Sequence, residues 1–238
     1  MTAMILNAGL GRRMGAITKK SPKCMTEIYP GETILSRQLK QISKFGVVKT
    51  VITTGAFDTA IKSYCNNANI PLKYTFVHNS LFVETNYIYS IYLARLFLDD
   101  DILLMHGDLV IDEKIIGLLI RSEETCMTVC SGIPLPDKDF KAIINDNRII
   151  KVGVNFFDCA IAAQPLYKFF RKDFTIWLDR ISNFCENGIT DCYAENALNE
   201  VTDKIILRPL DIKNMLCSEV DTLQDLENIS FILKNKKL

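Results

Sequence analysis

The chain lacks an excess of either charge: 28 Lys and Arg residues face 28 Asp and Glu residues across 238 positions. Without a basic field to draw in nucleic acid, any affinity for phosphate has to be built locally. No apolar run approaches the roughly 18 uncharged residues that a transmembrane helix needs. No basic segment precedes a long apolar stretch, as it would in a secretory leader. Nor is there a CxxC pair: the eight cysteines, at 24, 65, 126, 130, 159, 185, 192 and 217, lie scattered in apolar segments. The expectation is reduced, mostly buried thiols in a cytoplasmic protein, with neither a disulfide framework nor a cysteine metal cluster. Linkers, repeats and low-complexity stretches are also missing, which favours one unit large enough to bury a sizeable core.

Two common phosphate loops are absent as well. A dinucleotide-binding fingerprint needs a third glycine where Met14 stands and an acid at the end of the next strand, which here reads Ile52-Thr53-Thr54-Gly55. A Walker A loop needs Gly-Lys-Ser/Thr, and none occurs. What the N-terminus does hold is the apolar run Ala3–Asn7, then Ala8-Gly9-Leu10-Gly11-Arg12-Arg13-Met14-Gly15, then Ser21-Pro22-Lys23. Glycines at 9 and 11 permit φ > 0 and close approach, so that successive N–H groups form an anion-binding concavity at the strand end. Arg12 and Arg13 lie within reach of the same anion. Pro22 holds Ser21 extended and so sets the path of Lys23, a point charge for phosphate. The plainer alternative is a strand-to-helix turn with solvated cations.

Strand-like and helix-like periods alternate. Strands are expected at about 3–7, 48–54, 72–77, 101–106, 126–131 and 156–163, and helices at about 33–45, 57–67, 85–98 and 112–122. This alternation implies an α/β, Rossmann-like, mainly parallel central sheet with helices on both faces. Beyond residue 131 the pattern changes. A hairpin is expected around Asn145-Asp146-Asn147, then helices at about 165–187 and 191–200, a strand near 205–208 and a last helix at about 222–235. We read a first part at about 1–131 and a small subregion within about 132–238.

Two acidic positions stand out. Ile102–His106 leads into Gly107-Asp108, which puts Asp108 at the carboxyl end of a strand, where open parallel sheets bind ligands. A hard cation such as Mg²⁺ takes one or two carboxylates plus phosphate oxygens. Asp108 could equally cap a turn, and Asp112 suits the N-cap of the following helix. Later, Glu219-Val220-Asp221 projects two carboxylates the same way if the segment is extended, although Asp221-Thr222-Leu223-Gln224 would also serve as a helix cap.

Together these motifs resemble the nucleotidyltransferase superfamily that joins an NTP to a phosphorylated small molecule. Its opening, a strand, A-G-x-G-x-R, a spacer, P-K and a short apolar strand before a helix, is matched by Ala8–Arg13, by Pro22-Lys23 and by Thr33-Ile34-Leu35. Its Gly-Asp is matched by Gly107-Asp108, and its late E-x-D with x-x-D-L by Glu219, Asp221, Asp225 and Leu226. The resemblance runs the length of the chain. The segment Asn79–Ile91, with Thr85-Asn86, resembles the Thr-Asn-x-x-Ser-Leu stretch of the phosphocholine and phosphonate cytidylyltransferase branch, and Tyr193-Ala194-Glu195 resembles its acceptor-side helix start.

The resemblance implies transfer of CMP from CTP to a small phosphorylated or phosphonate acceptor, with no nucleic acid or membrane partner. It makes Lys23 and Arg13 catalytic and Asp108 and Asp221 the Mg²⁺ ligands. Leu6, Asn7, Ala8, Gly9, Leu10, Gly11, Arg12, Asn79, Thr85, Asn86 and Gly107 would contact nucleotide, and Tyr193, Glu195 and Glu219 the acceptor. Ala194 stands where the family tends to place an aromatic for a quaternary ammonium cage, leaving Trp177, Phe156, Phe157 and Tyr193 as nearby rings. A sugar-1-phosphate transferase using UTP or dTTP, or a silent nucleotide-binding domain, is the alternative.

Overall fold

A computed structural model describes residues 1–235. In chain order the elements are β1 (Thr2–Asn7), β2 (Glu27–Tyr29), β3 (Glu32–Thr33), α1 (Ile34–Lys44), β4 (Lys49–Thr54), α2 (Asp58–Asn67), β5 (Lys73–His78), α3 (Tyr87–Ala94), β6 (Ile102–His106), β7 (Leu109–Ile111) and α4 (Glu113–Arg121). There follow β8 (Cys126–Cys130), β9 (Lys141–Asn145), β10 (Arg148–Gly153), β11 (Ala160–Phe169), α5 (Arg171–Glu186), α6 (Ala194–Leu198), β12 (Arg208–Asp211), β13 (Cys217–Glu219) and α7 (Leu223–Asn235).

The central sheet runs β10-β9-β11-β6-β1-β4-β5, with β8 joining β11 to β12. Strands β6, β1, β4 and β5 are parallel, and β1 has β4 on one side and β6 on the other. The chain therefore switches direction across the sheet at β1, which opens a crevice beyond the carboxyl ends of β1 and β6. Alternation along the strands feeds two cores. Met4, Val51 and Leu104 pack with α3 and α5 on one face. Ala3, Ile5, Ile52, Leu103 and Met105 pack with α1, α2 and α4 on the other.

Local chemistry sets the ends of several elements. The Thr33 side chain accepts from the Ser36 N–H, and the Ser36 hydroxyl accepts from the Thr33 N–H, a closed capping box for α1. Asp112 caps α4 by accepting from the Lys114 N–H, and Asn86 caps α3 by accepting from the Tyr87 N–H. Asp146 and Asn147 take φ values of 47° and 57° in the β9–β10 hairpin, which suits a type I′ turn.

Three expectations need correction. Residues 165–169 are strand, not helix: β11 pairs with β6, β8 and β9, so its apolar run is buried without a period. Pro165 is tolerated because the β11–β8 register shifts between Ala163 and Tyr167. Next, residues 156–159 form a loop before β11, with Cys159 at φ 53°. Finally, the apolar strand ahead of α1 falls at β2 and β3, and Ile34-Leu35 already belong to the helix. The short β7–β13 pair carried no strand-length signal. The cysteines are free, and only Cys159 is exposed. Among the described residues no helix is long and apolar enough to cross a membrane.

Gly107 couples β1 to β6. Its N–H donates to the Leu6 carbonyl at 3.0 Å, and an added Cβ would lie 1.7 Å from Asn7 Oδ1 and 2.7 Å from that carbonyl. Gly107→Ala is expected to cost about 1–3 kcal/mol, read from the urea unfolding midpoint. An unchanged midpoint would contradict this close approach.

Candidate active site

The loop after β1 rises through Gly11 at φ 61°. A Cβ on Gly11 would meet the Lys23 stem at 3.0 Å, so the loop lies flat on the lysine only because residue 11 has no side chain. Gly9 differs from expectation: it is not among the positive-φ glycines, and its surroundings are open. The Thr18 hydroxyl donates to the Gly11 carbonyl at 2.8 Å and closes the loop. Pro22 sits at φ −65° and ψ 145° ahead of the turn that carries Lys23.

The Lys23 ammonium donates to Asp108 Oδ2 at 2.6 Å and also to Asp221 Oδ1. Arg13 adds a second cation, 2.8 Å from Asp221 Oδ2. Antiparallel pairing of β7 with β13, and a 3.0 Å bond from the Val220 N–H to the Asp108 carbonyl, bring the two aspartates together. Gln38 braces the Gly107-Asp108 turn by donating to the His106 and Leu109 carbonyls, both at 2.9 Å.

Asp221 does not cap α7. Thr222 and Asp225 form that cap, with the Asp225 N–H donating to the Thr222 hydroxyl and the Thr222 N–H to Asp225. Asp221 is thereby left for the cations.

Burial alone would lower the Lys23 pKa, but Asp108 and Asp221 outweigh it and hold the ammonium charged above the ordinary lysine value. Burial would likewise raise Asp108, yet Lys23 and His106 hold it below the usual carboxylate range. Glu219 goes the other way, pushed up by burial and then by Asp108 against the pull of His106.

Three cavities meet at Asp108. One is lined by Gly9, Gly11, Arg12, Arg13, Lys23, Gly107 and Asp221, among others. Another is lined by Ala8, Gly9, Asn79, Thr85, Asn86 and His106. A third, of about 510 Å³, is lined by Arg13, Tyr87, Asp137–Phe140, Tyr193 and Glu219, among others. Of the residues assigned to catalysis, nucleotide, acceptor or metal, Leu10 and Glu195 line none of these three.

Glu195 is 1% exposed and accepts from the hydroxyls of Tyr87 and, at 2.7 Å, Tyr167. It stands behind Tyr87 and fixes that ring against His106, with centroids 4.6 Å apart. Trp177 is fully buried, its indole N–H donating to the Ala194 carbonyl at 3.0 Å. Neither Trp177 nor the Phe156-Phe157 pair lines the third cavity, whose rings are those of Tyr87, His106, Phe140 and Tyr193.

Asn79 is buried, donating to Thr85 and Ser90 and accepting from the Leu81 N–H, so it shapes the 79–86 loop. The Thr85 hydroxyl donates to the Leu81 carbonyl and does not cap α3.

His106 and Asp139 went unnoticed in the sequence. The signal for His106 was its place at the end of β6, two residues before Asp108, and the ligating atoms of the two lie within 4.8 Å of each other. Asp139 sits in an irregular loop with no motif.

The donor set fits a hard divalent cation. Asp108 Oδ1 is buried without a partner, and ligating atoms of His106, Asp108 and Glu219, and again of Asp139, Glu219 and Asp221, lie within 4.8 Å of one another.

The crevice at the switch point thus gathers a glycine loop with two arginines and a lysine that spans two carboxylates. Residues 3–172 match the MobA-like NTP transferase domain family, and the chain belongs to it; it is a nucleotidyltransferase. A CTP:phosphoglutamine cytidylyltransferase of Campylobacter jejuni is 25% identical over 95% of this chain and 98% of its own length. A choline-phosphate cytidylyltransferase of Streptococcus pneumoniae is 22% identical over 99% of this chain and 100% of its own. The solved inositol-1-phosphate CTP transferase of T. maritima superposes with a TM-score of 0.79 at 19% identity, covering 99% of this chain and 96% of that one.

Proposed function

We infer that the protein transfers CMP from CTP to a small acceptor bearing a phosphate or phosphonate. An acceptor oxygen attacks the α-phosphorus in line, the bond to the β-phosphate oxygen breaks, and pyrophosphate leaves. The observation that carries this reading is the meeting of three cavities at Asp108 beside a lysine shared by two aspartates. Such transfer asks little proton chemistry of the protein and depends on positioning and charge neutralisation.

Lys23 stabilises charge at the α-phosphate, and Arg13 with the Gly9–Gly11 amides holds the departing pyrophosphate. Asp108 and Asp221 are the residues that would hold Mg²⁺, which when bound supplies neutralisation of phosphate charge. Residues Leu6–Arg12 and Gly107 frame the triphosphate, while Asn79, Thr85 and Asn86 shape the base side. The nucleotide part spans about 1–131, and the later part completes the acceptor cavity.

In that cavity Tyr193 and Glu219 face the acceptor, and Glu195 acts through Tyr87. Five carboxylates, Asp108, Asp137, Asp139, Glu219 and Asp221, outnumber Arg13 and Lys138 in its lining, which favours an acceptor with a polar or cationic nitrogen. The rings pack on one another, Phe140 on Tyr193 at 5.2 Å. An open cage would be worth about 0.5–2 kcal/mol of cation–π attraction, or about 2- to 30-fold in affinity, so a quaternary ammonium has no decisive advantage here. Both cytidylyltransferase relatives support CTP as donor.

Pyrophosphate release should be compared for CTP, UTP and dTTP with phosphocholine, phosphoethanolamine, 2-aminoethylphosphonate, a phosphorylated amide and glucose 1-phosphate. The expected result is the highest kcat/KM with CTP and a nitrogen-bearing phosphate or phosphonate. Preference for glucose 1-phosphate with UTP would overturn the assignment, and no turnover with any pair would favour a silent binding domain.

Lys23→Ala should lower kcat far more than it raises the KM for CTP, because an interaction that strengthens in the transition state appears in kcat. A change in KM alone would reduce Lys23 to a binding residue.

A further inference from the structure

Lys141 is a fully buried lysine outside the lysine–aspartate cluster. It opens β9, where it pairs with Gly153 of β10 on one side and Ala162 of β11 on the other. Its ammonium donates to three main-chain carbonyls: Val154 at 2.6 Å, Asp139 at 3.1 Å and Asp137 at 3.4 Å. The Phe157 ring covers it, with its centroid 4.3 Å away. Three ammonium protons thus meet three carbonyls, which satisfies a charge that is costly to bury.

Those carbonyls belong to two separate segments, 137–139 and 154, and both line the 510 Å³ cavity. Neither segment lines the two cavities on the nucleotide side. A methionine of similar size would fill the slot at no desolvation cost, so the lysine is accounted for by what its donors hold together.

We propose that Lys141 is a positioning residue for the acceptor, a clamp that ties the 137–139 loop to the 154–157 loop and so sets the width of the acceptor cavity. The assignment to the acceptor rests on the proposed function, whereas the clamp itself stands on the geometry. Loss of the three donors frees both loops, weakens acceptor binding and leaves the nucleotide side intact.

The test uses Lys141→Met, with hydrogen exchange of the full-length protein free of substrate and steady-state kinetics with CTP and phosphocholine as the probe acceptor. Exchange is expected to rise about tenfold in peptides spanning 137–140 and 153–157 and to stay unchanged in Lys49–Thr54, about 1.4 kcal/mol of lost local stability. The KM for phosphocholine is expected to rise about tenfold, with kcat and the KM for CTP within about twofold of the parent protein.

Lys141→Gln keeps two donors on a shorter stem and should give the same pattern at smaller amplitude; it carries the test where the Met variant does not fold. Unchanged exchange in both loops overturns the clamp. A KM for CTP that rises as much as that for phosphocholine overturns its restriction to the acceptor. Parent protein inactive with every acceptor would strike the proposed function, while the exchange result would still decide the clamp.

Discussion

One ammonium group shared by two carboxylates organises this molecule. Lys23 reaches Asp108 across 85 residues and Asp221 across 198, so the N-terminal loop, the end of β6 and the approach to α7 are pinned to one point. The three side chains are mostly buried, with 12% of Lys23, 22% of Asp108 and 13% of Asp221 exposed. Each carboxylate therefore depends on its partner, since an uncompensated buried charge is strongly destabilising. The surrounding details serve that meeting: Gly11 lets the loop lie on the lysine stem, Gly107 brings β1 against β6, and the Thr222–Asp225 cap leaves Asp221 free to turn inward.

The same cluster stands between two cavities whose walls are built differently. On one side Asn79 spends its amide on Thr85, Ser90 and Leu81 and fixes the shape of a loop. On the other, Glu195 holds Tyr87 from behind, and the rings that face the cavity come from α3, from the residue before β9 and from the residue before α6. A buried carboxylate bonded by two tyrosines gives a rigid wall, and rigidity in the supporting shell is what keeps a site selective.

Much of this was legible in the sequence because the signals are local. A glycine loop after an apolar strand, a proline-held lysine and an aspartate at a strand end are short-range patterns, and the four parallel strands alternate with periodic helices. The hairpin at Asp146-Asn147 could be read from turn chemistry alone. What escaped depends on partners distant in sequence. Residues 165–169 look helical in isolation and become strand because β6 and β8 flank them. Trp177 and Phe157 could have been cage walls by proximity in sequence, yet the tertiary fold buries one and lays the other over Lys141. The 137–139 loop has no periodicity and no motif, so neither Asp139 nor the role of Lys141 could be inferred before the strands were assembled.

The central proposal is that Asp108 and Asp221 act together where the nucleotide and the acceptor would meet. Its most direct test is the rate of CTP-dependent pyrophosphate release by Asp108→Asn and by Asp221→Asn, at saturating Mg²⁺ and with the parent protein's best acceptor, beside thermal unfolding of each variant. Folded variants slowed at least about 10²- to 10³-fold are the result this account predicts. Near-normal rates from both would contradict it.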